Sequence, residues 1–531
     1  MAAFFYEWDD FSGGYHVGPS TVNQPKSTWR GENIALSNDD ATLVPTYGPQ
    51  QITLSGTGTT AGVIDNSTTS TTWSDPTYFN GYCVVVGLTS AATYVYFINT
   101  SSGVVQRISL AVVGTSAGAA PVVVPVGGDL VAYVAVGTTA IYQIVRSTGV
   151  VTPFIPSGNL TLLTGLTIWN ARMIAWSTAS DTFLFSDALT FGAVWSSLNF
   201  VGVGYANDGI SYCVPRNLDM IVVKPSGWYS ITGILGASTA VRQMNDTLGV
   251  LPIDPVAQHN NTVYFTTSTG TNNYAVNLMA IAGTRVDVAA YQRFGLNDAN
   301  LRISKTNMGY LAVAAVIEEA LLVQYASVYL LNSQDKWQVM KIPATMTYDD
   351  SLKFAVARGQ VSRYNTSQDQ ALYLAEMTTG ATQNKLALHR LRPTTIEPGQ
   401  ASGSTLPTSA TLKLSNITTK IPTIIKRVYV EAEMLQIPTT LYTGSASIQA
   451  RVNNKSVANI DFASGTEATS GLSTAYTYLF SGFTIVTNTT DSQIRVLRFN
   501  VDNASYGYVN EIEIKFAGLR IRRCWVEGDT Q

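Results

Sequence analysis

The sequence predicts an all-β protein, a β-propeller of about seven blades followed by a C-terminal β-sandwich. Three observations carry that expectation. Short runs rich in Val, Ile, Thr and Tyr recur throughout, separated by Gly, Asn, Asp and Ser, which is the pattern of strands and tight turns. Amphipathic helical periodicity is nearly absent, and even residues 310–331 read as two apolar strands joined at Glu318-Glu319. Strand hairpins also recur at a regular interval, starting near Tyr82, Asp129, Ala171, Leu218, Asn261, Tyr310 and Lys353. Their period is about 45 residues, within the range of four-stranded propeller blades, and six or eight blades fit the weak repeats as well as seven. A single blade cannot bury both of its faces, so radial stacking of neighbours is the physical solution.

Each element follows from this reading. Residues 1–50 form an N-terminal arm, irregular but rich in aromatics (Phe4, Phe5, Tyr6, Trp8, Phe11, Trp29). Such a segment is too apolar to stand in water, so it is expected to pack across the propeller or a neighbouring subunit. The propeller occupies residues 51–393. A linker follows at residues 394–409, inside HRLRPTTIEPGQASGSTLPTS, where Pro, Gly and hydroxyl residues accumulate. Residues 410–531 then alternate in short strands and are assigned to the sandwich. Basic residues gather there: Lys426, Arg427, Arg520, Arg522 and Arg523. Strict alternation places Arg520 and Arg522 on one face, with Leu519, Ile521 and Arg523 on the other. A charged edge strand is the expectation for this segment, with a phosphate site as the alternative.

Composition narrows the function classes. Charged residues are 13% of the 531 positions, against about 25% in an average soluble protein, and the net charge is −3. Neither a charge-rich disordered chain nor a basic nucleic-acid binder fits that balance. Cys83, Cys213 and Cys524 are far apart with no CxxC spacing, so buried core thiols are expected instead of disulfides or zinc ligands. The opening MAAFFYEWDDFSGG lacks a basic n-region, so no signal peptide is expected. Residues 121–137 and 311–331 are interrupted before about 18 apolar residues accumulate, so no membrane span is expected.

Catalytic patterns are missing. There is no GxxxxGK[ST], no GxGxxG opening a helix, no HExxH and no GxSxG, and His16, His259 and His389 stand at no ligand spacing. The acid pairs Asp9-Asp10, Asp39-Asp40, Glu318-Glu319 and Asp349-Asp350 are adjacent in sequence, as turn residues are, whereas glycoside hydrolysis needs two opposed carboxylates. Residues 186–195, SDALTFGAVW, look like a degenerate Asp-box, a structural turn of sialidase blades. No catalytic, cofactor-binding or metal-binding residue is nominated, and no cofactor is expected.

The segment WNARMIAWSTASDTFLFSDALTFGAVWSSLNFVGVGYANDGISYCVPRNLDMIVVKPSGWYSITG, residues 169–233, carries a resemblance. Its order of an aromatic strand, a FSD…W…LNF turn, a DGI loop and a K…WYSITG strand resembles the propeller of tailed-bacteriophage tail proteins, the nozzle, tail-tube and minor tail proteins. Residues 8–36, with DFSGG, Gln24-Pro25 and GEN, are similar to their N-terminal arm. The resemblance implies a virion part without catalysis, assembled in the host cytoplasm into the tail. Its implied partners are other copies of itself in a symmetric oligomer, neighbouring tail proteins and passing genomic DNA held without tight binding. Two other classes stay open: a glycan-binding module using some of the 9 Trp and 27 Tyr, and a sialidase-like hydrolase.

Overall fold

The computed structural model describes residues 2–15, 26–36, 42–45, 50–66, 71–117, 120–157, 160–189, 191–192 and 195–245. It also describes the strands between residues 257 and 391, and then 410–434, 447–453, 478–479, 494–501, 506–517 and 519–531. The linker 394–409, His16 and the acid pairs at 39–40, 318–319 and 349–350 lie outside the described residues. Among the described residues the chain is all-β, with no helix. It divides into two compact units: a larger one of residues 51–326 and 343–390, and a smaller one of residues 1–50, 327–342 and 391–531.

The larger unit is a succession of antiparallel four-strand meanders. The first runs through Thr77–Phe79, Tyr82–Thr89, Thr93–Asn99 and Val104–Ser109. The second follows through Val122–Val126, Asp129–Ala135, Ile141–Val145 and Val151–Phe154. The third uses Gly165–Trp169, Arg172–Trp176, Thr182–Phe185 and Phe200–Gly202. Tyr212–Pro215, Met220–Lys224, Gly227–Thr232 and Ala240–Asn245 form the fourth, and strands between Ala257 and Ala290 the fifth. The first hairpins of the first three are as tight as the sequence suggests. Asn80-Gly81, Gly127-Gly128 and Asn170-Ala171 each place two consecutive residues at positive φ, the requirement of a two-residue type I′ turn.

The first four meanders bury both faces. Val84 and Val86 of the first pack with Leu130, Ala132 and Val134 of the second. Val131 and Tyr133 meet Met173, Ala175 and Leu184 of the third. Ile174 and Phe183 meet Met220 and Val222 of the fourth, whose other face, with Ile221 and Trp228, meets Val263 of the fifth. Two-sided burial explains why central strands read as continuous apolar runs and not as alternations. The final sheet of this unit joins Lys353–Val356, Leu372–Met377 and Lys385–Leu391 to an early strand, Val63–Asp65. Its Leu386 and Leu388 pack with Val85, Tyr96 and Ile98 of the first meander.

In the smaller unit two sheets close over one core. One sheet orders Ala3–Trp8, Leu519–Thr530, Ile417–Met434 and Ile494–Asn500 side by side. The other includes Thr28–Glu32, Ala410–Leu414, Ile512–Ala517 and Ser447–Val452. The N-terminal segment, expected to pack across the propeller or a neighbouring subunit, pairs through Ala3–Trp8 with the strand Leu519–Thr530. Trp8, Phe11 and Trp29 fill this core beside Leu412, Val430 and Ile514. Leu519–Thr530 is no edge, since strands pair with it on both sides. Strict alternation also fails along it. Glu431 pairs with Arg523 and Ala432 with Ile521, so Arg522 is the extra residue of a β-bulge. The bulge resets the phase and takes Arg523 off the buried face where period-two counting put it.

Candidate functional site

The chain direction of the meanders sorts their connections into two groups. In an up-and-down meander the first-to-second and third-to-fourth turns lie at one end. The second-to-third turns and the connection to the next meander lie at the other. These are the hairpin end and the crossover end.

The hairpin end bares apolar side chains. Leu218, between Pro215 and Met220, is 85% exposed; Leu198 and Leu189, in the long third-meander connection, are 79% and 78% exposed. Ile234, Val126 and Val150 are exposed in turns at the same end. These aliphatic side chains stand in water in the turns of successive sheets and are not packed within the chain.

Charges at this end are paired within the second, third and fourth meanders. In the second, Arg146 lies 3.0 Å from Asp129, whose carboxylate also accepts the N–H groups of Leu130 at 2.8 Å and Ser147 at 2.9 Å. Hydrogen bonding from Ser147 leads the causes that hold the Asp129 carboxyl down at about 2, against the opposing effect of desolvation. In the third, Arg172 donates to the Ser186 carbonyl at 2.8 Å and stands 3.8 Å from Asp187. In the fourth, Arg216 Nε donates to Asp219 at 2.6 Å, the second arm of the guanidinium engages the other carboxylate oxygen, and Ser230 Oγ donates to it at 2.6 Å. Burial alone would raise the Asp219 carboxyl, but the Arg216 and Ser230 hydrogen bonds and the Arg216 charge outweigh it and keep it below the usual range.

At the crossover end the DGI and K…WYSITG motifs come together. Lys224 is fully buried, and its ammonium donates to the carbonyls of Val203 at 2.6 Å and Tyr205 at 3.0 Å, with Asp208 at 3.9 Å. Desolvation lowers the Lys224 ammonium, while Asp208 and Asp181 partly offset it. Gly209 of DGI is required by space: a Cβ there would stand 1.7 Å from the Thr178 carbonyl oxygen. The ammonium therefore ties down the loop between the third and fourth meanders, and Val113, Ile155, Leu162 and Tyr205 remain exposed at this end.

The Asp-box-like turn is structural in its contacts. The Met173 N–H donates to Ser186 Oγ, which donates to the Asp187 carbonyl, and buried Trp195 donates to the Phe191 carbonyl at 3.3 Å. The Asp187 carboxylate accepts the Asn199 side-chain amide at 3.0 Å. Cys83, Cys213 and Cys524 are free and buried, and burial pushes the Cys83 thiol up to about 12. His389 is buried, and His259 lies in the strand Ala257–His259. Asp9 and Asp10 are exposed, Asp10 accepting the Ser12 N–H at 2.7 Å and Asp9 facing Lys26 at 3.8 Å. Among the described residues no three His, Cys, Asp or Glu gather as a metal site.

In the smaller unit the basic residues face acids. Arg523 bridges Glu7 at 3.2 Å and Glu431 at 3.1 Å, Arg522 faces Glu431 at 3.7 Å, Arg427 faces Glu527 at 3.3 Å, and Lys426 pairs with Asp529. Between them Tyr429 and Trp525 stack, centroids 5.1 Å apart at 5°. These partners occupy the cations that a phosphate site would have needed free.

Sequence reasoning missed the repeated ion pairs at the hairpin end. Their signal is opposite charges flanking a hairpin, Asp129 with Arg146 and Arg172 with Asp187, in a chain where charge is scarce.

No family model matches the chain, and no curated protein matches it. Among solved structures the chain is similar to U3-55K, at 10% identity with a TM-score of 0.38, over 62% of this chain and 98% of that one.

Proposed function

We propose that the chain is a non-enzymatic structural protein of a bacteriophage tail, a nozzle, tail-tube or tail-tip component. It acts by assembling with copies of itself and with neighbouring tail proteins in the virion, after synthesis in the host cytoplasm. One observation carries this reading: an end of the repeated sheets where apolar side chains stand in water while the Arg and Asp groups beside them are paired in cis. Such a surface offers contact area with little charge to desolvate, as an assembly surface requires. We infer further that residues 51–393 close as a propeller of about seven blades, with residues 410–531 as a sandwich. Supporting the closure, Val63–Asp65 completes the final sheet, and that sheet packs on the first meander.

The test is mass spectrometry of tails purified from particles of the source phage. The chain is expected in the tail fraction in a fixed ratio to the other tail proteins. Its absence from tails would overturn the proposal, and glycan-array binding by the purified chain would put the attachment reading in its place.

A further inference from the structure

The chain contains one Asn-Gly step, Asn80-Gly81, and one Asp-Gly step, Asp208-Gly209. Glycine after Asn or Asp favours attack of its backbone nitrogen on the preceding side-chain carbonyl carbon, because no Cβ crowds the five-membered imide that forms. The fold treats the two steps oppositely. Asn80 and Gly81 make the turn between Thr77–Phe79 and Tyr82–Thr89, and the ladder closes at the Phe79–Tyr82 pair, so their shared peptide lies outside it. Asn80 is exposed, the two residues stand at φ of 45° and 82°, and a Cβ on Gly81 would meet nothing within 4 Å. That peptide plane has room to rotate toward the side chain. At the other step a Cβ on Gly209 would stand 1.7 Å from the Thr178 carbonyl oxygen, and the Ile210 N–H donates to the Ser177 and Ser180 carbonyls at 3.1 and 3.0 Å. The Asp208 carboxylate accepts Ser226 Oγ and faces the buried Lys224 ammonium at 3.9 Å. Swinging that carboxylate onto the Gly209 nitrogen would give up both interactions.

We propose that Asn80 is a spontaneous deamidation site of the folded chain, with water as its co-reactant, while the fold holds Asp208 against the corresponding isomerisation. At position 80 the Gly81 N–H gives its proton to hydroxide, and the nitrogen bonds to Cγ of Asn80. The bond from Cγ to the side-chain nitrogen breaks, and ammonia leaves. Water then opens the imide at either carbonyl. The product is aspartate or, with the main chain rerouted through the side chain, isoaspartate. Isoaspartate adds a methylene carbon to the main chain of a turn that is anchored. The Gly81 carbonyl accepts the Thr100 N–H at 2.9 Å and its hydroxyl at 3.0 Å, and Arg390 of the final sheet donates to the Thr100 carbonyl at 2.7 Å. The modified residue therefore sits on a clasp between the first meander and the final sheet, and its formation loosens that clasp with time.

The experiment incubates the full chain in mildly alkaline buffer, folded and in denaturant, and follows both steps by peptide mapping. Mass spectrometry reads the amide-to-acid change at position 80, and labelling by an isoaspartyl methyltransferase reads isoaspartate at positions 80 and 208. The ratio of folded to unfolded rate at each site removes the intrinsic difference between an amide and a carboxylate. Folding should slow position 80 by less than about threefold and position 208 by more than about tenfold, since one turn opens freely and the other loop must open against its contacts. An amide at position 80 that survives folded incubation while the unfolded chain converts overturns the proposal. So does isomerisation at position 208 that folding leaves unslowed. Asn80→Gly repeats the Gly127-Gly128 turn of the second meander and has no side chain to cyclise, so it tests the clasp. After incubation the melting midpoint should fall for the wild type and stay fixed for this variant. Equal falls in both would overturn the link between deamidation and the clasp. The reaction requires only this chain and water, so its outcome is independent of the tail assignment.

Discussion

Among the described residues, the larger unit holds ion pairs singly at its tips, whereas the smaller unit strings them across a sheet face as a ladder. The number of buried faces accounts for the contrast. Meanders packed on both sides, with central strands such as Met220–Lys224 buried at every residue, hold their described ion pairs where strands turn. There Arg216 and Asp219 sit next to a core and need full hydrogen bonding. The sheet of the smaller unit has one packed face, so alternate residues such as Glu7, Arg523, Trp525 and Tyr429 reach water and pair across strands. The same salt-bridge chemistry therefore has different stakes in the two places.

Breaking a pair in each unit should expose that difference. Arg216→Ala leaves the Asp219 carboxylate buried without its fork of donors, and about 3 to 5 kcal/mol of stability should be lost in denaturant unfolding of the larger unit. A loss below about 1 kcal/mol would mean that water reaches the site freely. Acid should act in the same direction. Asp129 and Asp219 both have folded values below their unfolded ones, so their contribution is present above about pH 4 and is lost as pH falls toward the folded values, about 2 for Asp129. Thermal melts from about pH 5 down to 2.5 should show a falling midpoint, and Asp129→Asn should flatten part of that fall. In the smaller unit Arg523→Ala removes a half-exposed bridge and a cation held 4.8 Å from the Trp525 ring, costing about 1 kcal/mol. Asp187→Ala, at an exposed carboxylate bonded to a side-chain amide, should cost about 0.5 kcal/mol or less, measured in the same unfolding assay.

Strand positions were legible because they are written locally. Hairpin starts at Tyr82 and Asp129 begin strands, and Asn80-Gly81 and Gly127-Gly128 make their turns. The all-β class follows from the same local signals. The phase slip at Arg522 was not legible, since a bulge leaves no mark in a period-two count. Nor was the pairing of Ala3–Trp8 with Leu519–Thr530, which depends on complementarity between segments over 500 positions apart. The DGI and K…WYSITG motifs were visible as text. Their meaning, an ammonium closing on two carbonyls and a nearby carboxylate, needed the third and fourth meanders to be brought together.

That long-range pairing also sets a clock. Trp8 and Phe11 emerge from the ribosome more than 500 residues before Leu519–Thr530, the strand that pairs with Ala3–Trp8. At about 5 to 20 residues per second, the wait is roughly half a minute to two minutes. Throughout it, two large aromatic side chains are available to any apolar surface they meet, including that of another nascent chain. Translation speed and holdase supply should therefore govern the yield of the smaller unit more strongly than that of the larger one, whose first meanders can form from neighbouring residues as they appear.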